Sequence, residues 1–202
     1  FGVSLRARLL VYNKNSINKS DLNGYIDLAN DKWKNKILVR SSSNVYNQSL
    51  VSAMVIKYGE EEVKKFLKRF ISNFARKPSG GDRDQIRAVV AGEGDLALVN
   101  SYYFLKMKSQ DKEKKLDNVI EYFPKDKFMQ THINISGAGI IKNSKNKENA
   151  IKFLEFLVSN EAQKIYAEVI FEYPIRKNIE LNRFMKKYNN FVKDDINLSD
   201  LA

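Results

Sequence analysis

The 202 residues, 43% of them hydrophobic and 29% charged, suffice for one or two domains with a packed core and exclude a disordered or fibrous chain. The formal charge of +11, from 35 Lys and Arg against 24 Asp and Glu, admits nucleic acid, an anionic membrane or a small anion as partner without choosing among them. Cysteine is absent, which excludes a disulfide framework and a thiolate metal site, and no apolar run approaches the roughly 20 residues of a membrane-spanning helix.

Ser4 to Tyr12 alternates apolar and basic residues before becoming continuously apolar, as a strand leaving solvent for a core does; Arg6 and Arg8 share one of its faces. The polar stretch from Asn13 to Asn35 has turn signals at Ser20-Asp21 and Asn23-Gly24, with Leu22, Leu28 and Trp33 as anchors of a small helix and loop. Lys36 to Val39 reads as a second strand. The segment Arg40-Ser41-Ser42-Ser43-Asn44-Val45-Tyr46-Asn47 then leaves its carboxyl end as a loop, before a helix carrying Leu50, Val51, Met54, Val55 and Tyr58 that Gly59 ends.

A second helix follows, acidic at its start (Glu60, Glu61, Glu62) and basic farther along, with Val63, Phe66, Leu67, Phe70 and Ile71 as its apolar face. Pro78-Ser79-Gly80-Gly81 lacks the Gly-Lys-Ser/Thr ending of a phosphate-binding loop. Asp82 with Gln85 reads as a capping-box variant opening a helix through Ile86, Val89 and Val90 that Gly92 closes. Asp95 to Val99 is a third, buried strand, and Ser101 is the expected N-cap of a helix that Tyr102 and Tyr103 open.

Val119 to Pro124 is a short strand beyond a charged stretch. His132 precedes an extended segment with glycine breaks through Ile141, and with no serine or cysteine nucleophile motif beside it, it reads as structural. Asn146 caps an amphipathic helix through Ala150, Ile151, Phe153, Leu154, Phe156 and Leu157; Ser159 with Glu161 begins another through Ala162, Ile165, Tyr166 and Val169. The tail from Ile175 to Ala202 reads as mostly helical, with Leu181, Phe184, Met185, Tyr188 and Phe191 as its stripe.

The pattern of strands, helices and long connections implies an α/β fold. Twice a strand ends in a loop or helix start that carries tyrosine, a position where open α/β sheets tend to bind ligands. If those strands are parallel neighbours, Tyr46 converges with Tyr102 and Tyr103 on one crevice, with Arg40 and small hydroxyls around it. On the dipeptide alone, Tyr102 and Tyr103 read as two packed aromatics whose hydroxyls reach water, and it is the neighbouring segments that favour a site. Of the partners that the charge admits, nucleic acid is not expected, since the lysines are spread along helices and no basic-aromatic motif accompanies the tyrosines. A binding lobe for an organic or inorganic anion, cradled by Arg40 and Ser41 to Ser43, stays open, and so, more distantly, does a basic nucleic-acid-binding protein held by charge alone.

Four blocks carry a resemblance: Arg40 to Ser49, Gly80 to Ala88, Asn100 to Tyr103, and His132 to Gly137. Together they resemble the periplasmic ferric-iron-binding proteins of ABC importers, from about Phe1 to the Glu172-Tyr173-Pro174 turn. The resemblance implies a type II periplasmic-binding-protein fold, represented mainly by its C-terminal lobe and hinge strands. Residues 1–12 would be a hinge strand, 13–131 the C-terminal lobe, 132–170 the second hinge strand with helices that belong to the N-terminal lobe, and 171–202 a helical tail. It implies capture of Fe³⁺ without catalysis, by Tyr46, Tyr102 and Tyr103. Arg6, Arg8, Arg40, Ser41, Ser43, Asn44 and Asn100 would surround the ion or hold carbonate or another small anion beside it. The implied partner is the membrane permease of the importer, and the implied compartment the periplasm. Nothing in the chain matches the family's further N-terminal segment. A fragment is therefore expected, whose helices at 146–170 need cover from that segment or from a partner chain. Tyr46, on its loop, is expected to matter less for binding than Tyr102 or Tyr103, fixed at a helix start.

Overall fold

A computed structural model describes residues 1–197 of the chain. Its strands are β1 (Gly2–Asn13), β2 (Ile37–Leu38), β3 (Leu96–Asn100), β4 (Val119–Tyr122), β5 (Ile133–Gly137) and β6 (Tyr173–Pro174). Its α-helices are α1 (Val45–Tyr58), α2 (Glu60–Ser72), α3 (Asp82–Ala91), α4 (Ser101–Gln110), α5 (Lys147–Leu157), α6 (Asn160–Ile165) and α7 (Arg183–Lys187).

The long strand β1 is the spine. Its first half runs antiparallel to β5, with Leu5 opposite Ile135, and touches β6 through Leu5 and Tyr173. From Arg8 onward it lies between β3 and β4, Leu9 facing Val99 and Val11 facing Glu121. Strand β2 pairs with β3 in parallel, Ile37 opposite Leu96. The two strand-to-tyrosine units are therefore direct neighbours running the same way, as their convergence requires.

Period-2 alternation divides the core between the two faces of this sheet. Leu9, Val11, Leu38, Ala97 and Val99 face α3, α4 and the tail, whereas Leu10, Tyr12, Ile37, Val39, Leu96 and Leu98 face α1, α2 and the polar stretch that follows β1. That stretch forms three short 3-10 helices, and its anchors Leu22, Leu28 and Trp33 are buried. Ile71 and Val90, assigned by period to helix faces, lie exposed at the margins of those faces.

Local capping differs from the sequence reading in three places. Helix α1 starts at Val45, because the Asn44 side chain accepts a hydrogen bond from the Tyr46 amide at 3.0 Å; Tyr46 is thus in the first turn and not on a loop. Asn100, not Ser101, precedes α4; the Ser101 hydroxyl is taken by the Ala7 amide of β1 at 3.1 Å. Gly81, not Asp82, is the N-cap of α3, and the Asp84 carboxylate accepts from the Gly81 amide at 2.8 Å. Asp82 and Gln85 are spent elsewhere, Gln85 on the Ser79 and Gly81 carbonyls.

The tail departs most. Among its described residues only Arg183–Lys187 is α-helical, and residues 198–202 lie outside the described chain. Its apolar residues pack as an irregular strap: Met185 and Tyr188 are buried, and the Phe191 ring stacks on Phe123 at 4.4 Å. Side-chain burial overrides a weak helical period here. In α5 no side chain is buried, with Phe153 59% and Phe156 41% exposed; α6, capped by Ser159, is anchored by buried Ala162 and Gln163.

At Gly94, between α3 and β3, a Cβ would stand 2.9 Å from the Lys36 carbonyl oxygen and 2.8 Å from Leu38 Cγ. That carbonyl accepts from the Asp95 and Leu96 amides, so it cannot retreat without loosening the parallel β2–β3 junction. Gly94→Ala should cost about 1–3 kcal/mol in urea unfolding, the usual range for overpacking. A loss below about 0.5 kcal/mol would show that the junction yields freely.

Candidate functional site

Arg8 on β1 is fully buried, an unusual place for a cation without a partner. Its Nη1 lies 3.0 Å from one carboxylate oxygen of Asp82, itself buried, and its Nη2 donates to the Asn47 side chain. The same Asp82 oxygen accepts from the Asn100 amide at 2.7 Å, and the other accepts from Arg40 Nη1 at 3.1 Å. One carboxylate therefore ties together β1, the end of β3 and the segment after β2. Asn47 closes the ring by donating to the Arg40 and Ser41 carbonyls. Burial pulls the Arg8 guanidinium below its ordinary pKa, opposed chiefly by the charge of Asp82.

The tyrosines stand on the elements so fixed. The Tyr102 and Tyr103 rings lie 4.0 Å apart, and the Tyr102 hydroxyl interacts with those of both Tyr103 and Tyr46. Arg6 donates to the Tyr46 hydroxyl at 3.1 Å. Three guanidiniums stand by the rings: Arg6 and Arg40 at 5.1 and 5.6 Å from the Tyr46 centroid, and Arg83 at 5.4 Å from that of Tyr103. The Tyr102 phenol is pushed well above its ordinary pKa, first by burial and then by its hydrogen bonds to the neighbouring phenols. It is neutral at physiological pH.

Of the other residues singled out by sequence, Arg6, Arg8, Arg40 and Asn100 are gathered with the tyrosines or just beneath them. Asn44 serves as the cap of α1. Ser41 and Ser43 are exposed, their hydroxyls 2.9 Å from each other. The Nε atoms of Arg6, Arg8 and Arg40 and the Asn100 Nδ2 are buried donors with no partner. The sequence reading missed Asp82, taking it for a helix start, and it missed Asn47 and Arg83. A signal for Asp82 existed: an arginine between core positions of β1 demands a buried carboxylate, although the sequence does not say which one.

His132 is buried, with Nε2 2.9 Å from the Ser49 hydroxyl and 3.4 Å from Asn134 Nδ2. Its amide donates to the Tyr25 hydroxyl, which in turn donates to the Arg8 carbonyl, so the imidazole belongs to the packing beneath the site. The serine that meets it, Ser49, lies 83 positions away in the chain. Yet burial, aided by the charge of Arg8, lowers the His132 pKa to about 4, making it a poor base. Among the described residues no cluster of three His, Cys, Asp or Glu side chains is fit to hold a metal. The oxygen donors brought together are phenols.

A mixed sheet with helices on both faces, and a crevice of phenols and arginines at the carboxyl ends of its parallel strands, defines a small-solute-binding module of the periplasmic-binding type. Residues 2–196 match the family described as bacterial extracellular solute-binding protein, and the chain belongs to that family. It is 43% identical to iron uptake protein A1 of Synechocystis over 205 residues, which cover all of this chain and 57% of that protein. The structure of the Trichodesmium protein FutA in complex with iron and citrate superposes with a TM-score of 0.92 at 46% identity, covering 100% of this chain and 65% of that one. The apo ferric ion-binding protein A of Pasteurella haemolytica gives 0.94 at 41%, covering 100% and 64%. The chain thus spans less than two thirds of the length of these relatives.

Two outcomes are expected. Asp82→Asn leaves Arg8 buried without its countercharge and should cost about 3–5 kcal/mol in denaturant unfolding; a variant as stable as the parent would remove the carboxylate from its central place. Because the folded pKa of His132 is depressed from 6.5 to about 4, its contribution is full above pH 6.5 and is lost as pH falls toward 4. Stability of the parent should therefore drop over that window more than that of His132→Gln, by about 3 kcal/mol at most. Parallel pH profiles of the two proteins would refute the assignment.

Proposed function

We propose that this chain binds ferric ion through Tyr46, Tyr102 and Tyr103, as part of a solute-binding protein that delivers iron to the membrane permease of an ABC importer from the periplasm. The observation that carries this reading is the meeting of three phenol hydroxyls, drawn from two adjacent parallel strand ends and flanked by arginines. Fe³⁺ is small and highly charged, and it favours hard anionic oxygen over sulfur donors. Phenolate is such a donor, and since a free phenol ionises only at about pH 10, the metal's own charge supplies what is needed at neutral pH.

Three phenolates would neutralise Fe³⁺ on their own. The arginines and the unpartnered Nε and Asn100 Nδ2 donors favour a further anion in the coordination sphere, such as carbonate. Closure of a second lobe over the crevice would then exclude water and present one shape to the permease. Helix α5, with no buried side chain, and the exposed Ile165 and Val169 suit a surface covered by such a lobe or by a partner chain. Solute capture rather than catalysis fits the site, where among the described residues the serine–histidine contact has no carboxylate hydrogen-bonded behind it and the histidine has a depressed pKa.

The test is a visible spectrum on adding ferric citrate with bicarbonate. Tyrosinate-to-iron charge transfer should colour the protein, and a colourless protein that nevertheless binds citrate or phosphate would put the anion reading ahead. Each Tyr→Phe change keeps the apolar volume and should alter folding stability by about 1 kcal/mol. Since Tyr46 is held in a helix first turn as firmly as the other two, the three single variants should weaken iron binding to similar degrees against a competing chelator. Retention of colour by the Tyr102→Phe, Tyr103→Phe double variant would take the pair out of the site. Proton release adds a sign: affinity should fall as pH drops from about 7 to about 5, by up to about one decade per phenol per pH unit.

A further inference from the structure

On the face of the sheet covered by α1 and α2, away from the phenol pair, lies a cavity of about 360 Å³ that the iron reading does not use. That volume is within the range of sites for small organic ligands, roughly 300–1,000 Å³. Its wall is apolar, built from Met54 of α1, Leu67 and Phe70 of α2, and Phe74 beyond it. The Phe70 and Phe74 rings meet edge to face at 4.9 Å, which fixes the wall's shape.

The polar part of the lining is of one sign. Arg40, Ser41 and Lys77 line the cavity, and Ser41 and Lys77 are exposed, which places them at its mouth. No carboxylate is among the lining residues. Arg40 shares Asp82 with Arg8, so the two guanidiniums face one carboxylate and a net positive charge remains; its Nε is buried without a partner. No ion pair of Lys77 is present among the described residues. An apolar slot ending in two cations and hydroxyls is complementary to a molecule with an apolar body and one anionic head.

We propose that this cavity is a second binding site, for a small amphipathic carboxylate whose ring or short alkyl chain enters the apolar slot while its head meets Lys77 and Arg40. The site does not depend on iron. Its occupancy nevertheless reaches the phenols, because Arg40 also lies over the Tyr46 ring and is held by Asp82.

Titration calorimetry with 4-iodobenzoate on the full chain tests the proposal, alongside crystals soaked in the same compound and read by iodine anomalous scattering. Saturable binding of one molecule per chain is expected, with the iodine against Phe70 and Met54. Lys77→Gln, a change at an exposed position, should weaken binding about threefold to fivefold, as for loss of a solvent-exposed ion pair. Leu67→Trp should fill the slot and abolish binding. If that variant does not fold, Val51→Phe on the same lining takes its place. 4-Iodobenzyl alcohol, with the same ring and no charge, should bind at least about tenfold more weakly. Equal affinity for the alcohol, undiminished binding by Lys77→Gln and the slot-filling variant, or iodine only on the exposed Phe153 and Phe156 surface would each overturn the proposal. Ferric binding and colour are measured separately, so failure of the iron reading leaves this result intact.

Discussion

The buried pair of Arg8 and Asp82 is the constraint on which the rest of the site depends. Neither charge could be left in the core alone, and each has hydrogen bonds beyond the pair that spread the attraction over several elements. Asp82 stands at the first turn of α3, where the helix dipole favours a carboxylate. It reaches the amide of Asn100 just before α4 and the guanidinium of Arg40 just after β2. The two tyrosine-bearing segments are therefore referenced to one point in the core. Local capping then sets the fine position of Tyr46 through Asn44, and Ser101 pins the start of α4 to β1.

This arrangement separates rigidity from reactivity. The Arg8–Asp82 pair that holds the backbone is fully buried, while the phenols and Arg6 sit half-buried at the surface of the crevice. Burial, and then hydrogen bonding to the neighbouring phenols, hold the Tyr102 phenol above its ordinary pKa. Under the proposed function the site would discriminate by charge, a trivalent cation repaying the loss of phenolic protons that a weakly charged one does not. The guanidiniums around the phenols add positive charge to the crevice, which under the proposed function favours an anion beside the metal.

Strand β1 also joins two regions of different character. Its Arg8-to-Asn13 half is enclosed between β3 and β4 with core on both faces, whereas its Gly2-to-Ala7 half is shared with β5 and β6. There the buried Glu172 carboxylate accepts from the hydroxyls of both Ser4 and Ser136, and the Gln163 amide donates to the Val3 carbonyl. Thus α6 and the strand after it are fastened to β1 by polar contacts, and α5 rides outside them with its aromatic residues in solvent.

Much of this was legible in the sequence, for a physical reason. Period-2 and period-3.6 burial marked β1, α1, α2 and α3. Strand-then-tyrosine occurred twice, and the four blocks from Arg40 to Gly137 carried the family resemblance that the comparisons bear out. These signals are local: which face is apolar and which residue follows a strand end are properties of a few neighbouring positions. Only the tertiary structure decided the rest. The sequence reads Asp82 with Gln85 as the helix start; burial of Arg8, 74 positions away, assigns Asp82 to the core, and Asp84 is the residue that accepts from the Gly81 amide at the helix start. It placed Tyr46 in a helix where the chain read as loop, because the Asn44 cap moves the helix start back. It drew the tail into an irregular strap over β1's neighbours, because burying Met185, Tyr188 and Phe191 outweighs a faint helical period. And it opened the cavity beside α2, since a void is the product of several elements failing to meet, and no single stretch of sequence records that.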